Sequence, residues 1–191
     1  MTNSSTLEFL QTRRTVTAAF LDEPGPSAQQ LDQLITIAMR VPDHGKLAPW
    51  RFIAMDKPAR AALAPKLRAL RALDEPDLPV ESLDKVDMIF QHAPLCLIVV
   101  STARDHVKIP HWEQHLSAGA STMNLILGAH AMGFGAQWLT GWATYNVDAK
   151  ALFDVRDDEQ IVGFIHIGTP TIAPVERPRP AVSDHLSVLT V

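Results

Sequence analysis

A single mixed α/β domain is the fold class this sequence predicts, and three observations carry the prediction. The chain has 191 residues, 47% of them apolar, which is material for one domain over residues 1–191 with its own core. The apolar, β-branched run Leu95-Cys96-Leu97-Ile98-Val99-Val100 reads as a buried strand. Apolar residues at helical spacing persist from Trp112 to Met132, the longest helical signal in the chain.

Each element follows from local chemistry. Residues through Thr6 are polar and are expected to fray, and Leu7 to Arg14 reads as a short helix ending in a basic pair. Ser27 and Gln30 form a capping box ahead of Leu31, Leu34, Ile35, Ala38 and Met39 at helical spacing. That helix must stop before Pro42, because the residue preceding a proline is steered out of the helical region. Trp50 to Met55 is a strand, and Asp56 caps a helix with Pro58 in its first turn, continuing through Leu63, Leu67 and Leu70. The acidic stretch 74–86, with Pro76 and Pro79, reads as a mobile surface segment or lid. Pro94 leads the strand Leu95–Ser101.

In the long helix, Leu116, Ala120, Met123, Leu127 and Ala131 form one face, widened by Leu125 and Ile126. Apolar residues on so many sides imply several buried faces, and in so small a domain a second subunit is expected to cover part of them. Gly133 is a natural C′ residue, since glycine takes positive φ without strain. Ala136 to Thr140 and Ile161 to Ile167 complete the strands. The tail from Thr169 to Pro180 holds four prolines and is expected to lie extended.

Other classes find little support. With a formal charge of -4 and a pI near 6.0, the basic residues lie scattered among acids, so no nucleic-acid partner is expected. Cys96 is the only cysteine. It allows no intrachain disulfide, and its apolar setting disfavours the thiolate. No basic segment followed by an apolar one marks a secretory signal, and no stretch of about 18 apolar residues marks a membrane span. A cytoplasmic protein is the expectation. His111 and His115 share a helix face, but Trp112 stands where a zinc-protease helix carries glutamate, so no metal is expected. Gly133-Phe134-Gly135 follows a helix, and Trp138 replaces the third glycine of a dinucleotide fingerprint. Asp43-His44 lacks a convincingly placed serine for a hydrolytic triad.

Three segments follow in order: Arg13-Arg14-Thr15; Arg40-Val41-Pro42-Asp43-His44 continuing to Phe52; and Ser117-Ala118-Gly119-Ala120 through Asn124–Ala129 to Gly133-Phe134-Gly135-Ala136-Gln137-Trp138-Leu139-Thr140-Gly141. Together they resemble the nitroreductase family. Val162–Pro170 is a fainter fourth. The resemblance spans nearly the whole chain. It implies an α+β, nitroreductase-like fold: a mainly antiparallel sheet flanked by helices, an intertwined homodimer with FMN between subunits, and a tail reaching the neighbour.

The implied site residues make chemical sense for FMN. Its phosphate suits guanidinium forks; by resemblance Arg13, Arg14 and Thr15 supply phosphate and ribityl contacts, with Arg179 from the tail. Without the resemblance, a basic pair at a helix end would merely complement the helix dipole. Arg40 and His44 match positions approaching the isoalloxazine. Family members often carry a lysine shortly after the N-terminal arginines, where this chain has Ala18, Ala19, Phe20 and Leu21. Arg40 is therefore the candidate for positive charge near flavin N1. Trp138-Leu139-Thr140-Gly141 corresponds to the loop beside the flavin, where a backbone N–H donates to N5. The expected activity is ping-pong transfer of hydride from NADH or NADPH, through N5, to a nitroaromatic, quinone or similar small-molecule acceptor. No catalytic side chain is nominated, because the cofactor carries the hard chemistry. The alternatives are a non-catalytic, flavin-sequestering protein and a dehalogenase or oxygen-dependent flavin branch on the same fold.

Overall fold

The computed structural model describes residues 4–190, with side chains throughout except at 4 and 86–89. Its strands are β1 (Leu21–Asp22), β2 (Trp50–Met55), β3 (Leu95–Ser101), β4 (Gly135–Leu139) and β5 (Gln160–Pro170). All their pairings are antiparallel. β3 pairs with β2, Trp50 opposite Ser101 and Met55 opposite Cys96, and on its other side with β5, Leu95 opposite Ile167. The eleven residues of β5 are enough to carry two strands along its far edge. β4 runs along Phe164–Gly168, and β1 pairs with Thr169 and Pro170.

The sheet is covered on both faces, which is why β3 reads as a continuous apolar run rather than an alternating one. Cys96, Ile98 and Val100 join Met55, Leu67, Phe90, Phe153 and Phe164 on one face. Leu97 and Val99 join Leu34, Leu125, Ala129, Ile165 and Ile167 on the other. Each fully buried aliphatic side chain contributes about 1.5–3 kcal/mol. On the first face, Phe90 and Phe153 both meet Phe164 edge-on, with ring centroids 5.4 and 5.3 Å away. Cys96 is fully buried there, and burial pushes its thiol pKa up to about 12.

The helices are α1 (Ser4–Thr12), α2 (Ala28–Ala38), α3 (Lys57–Asp74), α4 (Val80–Gln91), α5 (His111–Ala131), α6 (Trp142–Tyr145) and α7 (Val147–Leu152). α1 already includes Ser4–Thr6, which the sequence assigns to a frayed end; residues 1–3 of that expectation lie outside the described residues. α1 also stops before the basic pair. The capping box is complete: Gln30 N–H donates to Ser27 Oγ at 3.3 Å and Ser27 N–H donates to Gln30 Oε1 at 2.9 Å. Asp56 Oδ1 accepts from Ala59 N–H at 2.8 Å and starts α3.

Segment 74–86 is a correction. Asp74 closes α3, a short turn spans 75–79, and Val80 opens α4, which packs against α3. Pro76 and Pro79 sit outside the helices; the Pro79 carbonyl accepts from Ser82 N–H at 2.9 Å and so begins α4. Arg68 pairs with Asp84 between the two helices at 2.7 Å. At the base of this hairpin Arg60 is 1% exposed. Its guanidinium donates to the carbonyls of Phe90, His92, Ala93 and Pro94 at 2.6–3.1 Å, partnering the chain end of α4.

α5 also turns differently from its sequence reading. The side packed on the sheet and α2 is small and partly polar: Ser117, Ala118, Ser121, Thr122, Leu125, Gly128 and Ala129. Short side chains allow close approach, and two of the hydroxyls find carbonyl acceptors, while Ser121 Oγ is buried without a partner among the described residues. Ser117 Oγ donates to Pro42 O at 2.7 Å and Thr122 Oγ1 to Ala118 O at 2.9 Å. The stripe of Leu116, Ala120, Met123, Leu127 and Ala131 points away from this core, with Leu116 53% exposed and Ala131 exposed. At the helix end Gly133 has φ 87°, which glycine adopts freely.

Thr169 and Pro170 belong to β5, so the tail begins two residues later than the sequence implies. Residues 171–190 are exposed and extended apart from one short turn of helix, Val182–Asp184. No helix among the described residues is long and apolar enough to cross a membrane.

Candidate functional site

Cationic side chains gather where α1 ends. Thr12 turns its hydroxyl back to Glu8 O at 2.7 Å, and Arg13 N–H makes the last helical bond, to Phe9 O, at 2.9 Å. The chain then runs extended onto β4, where Ala18 N–H donates to Gln137 Oε1 at 2.6 Å. The tail folds back over this corner. Arg14 Nε donates to Val175 O at 3.1 Å, and Arg179 and Arg14 both approach Glu176 Oε1, at 3.2 and 3.6 Å.

Arg13 and Arg14 are both partly buried in this cluster. Burial depresses the Arg13 pKa first, and the neighbouring Arg179 and Arg14 depress it further. Glu176 pairs with Arg14 and Arg179 but not with Arg13. A partly dehydrated guanidinium facing two like charges is a place where an anion is favoured. His130, in the last turn of α5, feels the same field: burial, then Arg13, lowers its pKa to about 4, so it is neutral at pH 7. Its Nε2 is buried without a hydrogen-bond partner. Thr15 is exposed directly beside the pair.

Arg40 and His44 lie elsewhere. Arg40 follows α2; its carbonyl accepts from Asn124 Nδ2 at 2.8 Å, while its guanidinium makes no ion pair with a described residue. His44 Nδ1 lies 2.7 Å from Glu113 Oε2. A carboxylate only accepts, so Nδ1 carries the proton. Asp43 is occupied with its own loop, accepting from Leu47 and Ala48 N–H at 3.0 and 2.9 Å, which explains the Asp43-His44 pair without a triad. A groove lined by Pro42, His44, Glu113, Leu116, Ser117 and Ala120 opens between this loop and α5. Glu113 and His130 lie near opposite ends of α5, about 25 Å apart at 1.5 Å per residue. His44, held at the Glu113 end, is therefore far from Arg13, Arg14 and Arg179, while the Arg40 backbone sits beside Asn124, about 9 Å along α5 from His130.

The third group is a turn. Trp138, in β4, donates from Nε1 to Val162 O at 3.0 Å and lies across Gly163, where a Cβ would collide with its ring. Leu139 is the last paired residue of β4. Thr140 and Gly141 follow, exposed, and Gly141 N–H is taken by Thr144 Oγ1 at 3.0 Å. Trp142 then opens α6, with Nε1 hydrogen-bonded to Asp74 and the Arg71 guanidinium 5.1 Å above its ring.

Several of these residues escaped the sequence reading. His130 and Trp142 carry no local signature, and Glu113 was visible only as part of the histidine-rich decoy. The decoy itself resolves into separate contacts: His111 Nε2 lies 2.9 Å from Asp105, and His115 Nδ1 lies 2.9 Å from Ser101 Oγ. Among the described residues no group of three or more His, Cys, Asp or Glu is placed to hold a metal ion.

Residues 10–169 match the family model described as the nitroreductase family. The Escherichia coli (strain K12) protein named "Putative NAD(P)H nitroreductase YdjA" is 34% identical over 167 residues, 87% of this chain and 88% of that protein. Among solved structures, a nitroreductase-like family protein from Bacillus cereus superposes with a TM-score of 0.81 at 22% identity, covering 99% of this chain and 98% of that one. A Desulfovibrio desulfuricans protein, a "putative nitroreductase in complex with fmn", superposes with a TM-score of 0.75 at 18% identity over 99% of both chains. The structural likenesses establish the fold.

Proposed function

The chain belongs to the nitroreductase family, and from that premise we propose that it is an FMN-dependent, NAD(P)H-oxidising flavoprotein working as a homodimer. The observation that carries the proposal is the Arg13 guanidinium, partly buried beside Arg14 and Arg179 and without a carboxylate partner among the described residues. A phosphate monoester carries close to two negative charges at pH 7 and supplies what this corner lacks. The residues present therefore fit FMN.

In this reading Arg13, Arg14 and Arg179 hold the phosphate, and Thr15 offers its hydroxyl to the phosphate or ribityl chain. Trp138, fixed by Val162 O, forms a side wall. The backbone donor for the flavin edge passes to Thr140, because Thr144 already holds Gly141 N–H. Arg40 and His44 come from the second subunit. Two copies of α5 packed antiparallel through the Leu116–Ala131 stripe carry the Glu113 end of one helix to the His130 end of the other. That pairing also covers the apolar stripe the monomer leaves outward. The partner's Arg40 then supplies positive charge beside the ring, and Glu113 keeps His44 oriented.

When bound, FMN supplies the redox chemistry, taking hydride from NADH or NADPH and, once the nicotinamide has left, reducing a nitroaromatic, quinone or similar flat acceptor. The side chains bind, orient and exclude water; none acts as a nucleophile.

The decisive experiment is a visible spectrum of freshly purified protein before and after anaerobic NADH or NADPH. The expected result is a bound flavin band that bleaches on addition. Protein that stays colourless with added FMN and oxidises no NAD(P)H with nitroaromatics or quinones refutes the proposal. Bound flavin that neither nicotinamide reduces makes the protein a flavin-sequestering one. Light scattering tests the shared site: a monomer that retains FMN overturns it.

A further inference from the structure

The turn at 139–141 is fixed in an unusual way. Its inner side does not rest on close-packed atoms but on a cavity of about 90 Å³, lined by Phe90, Leu139, Thr140, Gly141, Trp142 and Phe164. Core packing holds only its far side, where Ala143 and Trp142 meet the Phe90–Phe153–Phe164 cluster. Two tryptophans bracket the turn, each using its indole N–H: Trp138 to Val162 O on the sheet, Trp142 to Asp74 at the end of α3. Arg71, one helical turn before Glu75 and paired with it at 2.7 Å, lies over the Trp142 ring, 5.1 Å from its centroid. Trp142 is also the first residue of α6, whose Thr144 hydroxyl holds Gly141 N–H. A shift of the indole thus moves the peptide groups on both sides of Gly141.

We propose that Trp142, held by Asp74 and Arg71, is a positioning residue that sets the backbone of the Thr140–Gly141 turn. It ties that turn to the tip of the α3–α4 hairpin. The role rests on the flavin reading, since it matters to the reaction only if this turn faces the cofactor. Asp74 and Arg71 touch neither reactant; they act through the indole.

The test compares wild-type protein with Trp142→Phe, Asp74→Ala and Asp74→Asn. Phenylalanine keeps the ring and the stacked guanidinium but loses the N–H; asparagine keeps an oxygen that accepts from Nε1. Amide hydrogen exchange of the peptide spanning 139–145 is read by mass spectrometry, together with the anaerobic rate of flavin reduction by NADH. Trp142→Phe and Asp74→Ala should retain FMN, exchange about fivefold faster in that peptide, as loss of one hydrogen bond predicts, and reduce their flavin more slowly. Asp74→Asn should restore both. Three results overturn the proposal: exchange equal in all four proteins; exchange raised equally in β3, which marks general destabilisation; or local exchange raised with flavin reduction unchanged. A wild-type protein that binds no FMN fails the flavin reading itself, and that failure shows before any variant is compared.

Discussion

Replacing Arg13 by glutamine should move stability and cofactor affinity in opposite directions. In the flavin-free protein the Arg13 charge is a liability, because burial and two neighbouring guanidinium groups all disfavour it. Arg179 is 44% exposed, so solvent screens its repulsion, which is worth about 0.2–1 kcal/mol; Arg14 is only 18% exposed and its charge is less screened. Removing the charge should therefore raise the melting temperature of flavin-free protein by about 2–4 °C per kcal/mol recovered, or leave it level. With FMN bound the balance inverts. A charge-assisted hydrogen bond to phosphate contributes about 1.5–3 kcal/mol, so the FMN Kd should rise roughly 10- to 100-fold. Quenching of FMN fluorescence at two salt concentrations measures the affinity, and a thermal scan of flavin-free protein measures the stability. A variant that melts lower yet binds FMN as tightly as wild type would show Arg13 to be a structural cation and refute the phosphate assignment.

Gly163→Ala places a Cβ against Trp138 Nε1 and 3.1 Å from Leu139 O. Overpacking of this kind costs about 1–3 kcal/mol, so melting temperature should fall and tryptophan emission should change; a wild-type scan would mean the indole has another seat. Arg51→Met strips a bidentate partner at 2.7–2.8 Å from Glu159, whose side chain is 1% exposed, and leaves it only Arg156; loss of the charged hydrogen bonds should cost about 1.5–3 kcal/mol in urea unfolding. Arg51 also holds the Glu159 carboxyl below its ordinary 4.5. That stabilisation is complete above 4.5 and is lost as pH falls through the lower folded value, so the Arg51→Met curve should be flatter in acid. Burial lowers His130 and His166 to about 4 from 6.5. Between those pH values the unfolded chain takes up two protons the fold refuses, so urea midpoints should drop as pH falls from 6.5 towards 4, less steeply in His166→Gln. Cys96 should resist a thiol reagent in the native protein and react only on unfolding; rapid native reaction would contradict its burial.

Local chemistry made much of the scaffold readable. The Ser27–Gln30 box, the Asp56 cap and the bounds of β2 and β3 depend on residues a few positions apart. α4 escaped because its prolines stand just ahead of it and Glu81 and Asp84 are exposed, a pattern shared with loops. The orientation of α5 escaped for another reason. Large apolar residues at helical spacing identify a face that wants cover, without saying whether the sheet or a second chain provides it, and here the sheet takes the serines and threonines. The burial of Arg60 and Glu159 could not be read locally, since besides Asp56 and Arg156 it depends on Phe90 O and Arg51, which lie 30 and 108 positions away. At the candidate site the resemblance singled out Arg13, Arg14 and Arg179 across more than 160 positions, and the fold puts them at one corner. It also carries His44 to the far end of α5 from that corner, a spatial fact no linear motif contains.

The four carbonyl bonds of Arg60 fasten the α3–α4 hairpin where the chain enters β3. At the opposite end Asp74 and Arg71 fasten it to Trp142. The two helices thus act as a strut between the central strand and the rim, and a single buried cation fixes the foot on which that strut stands.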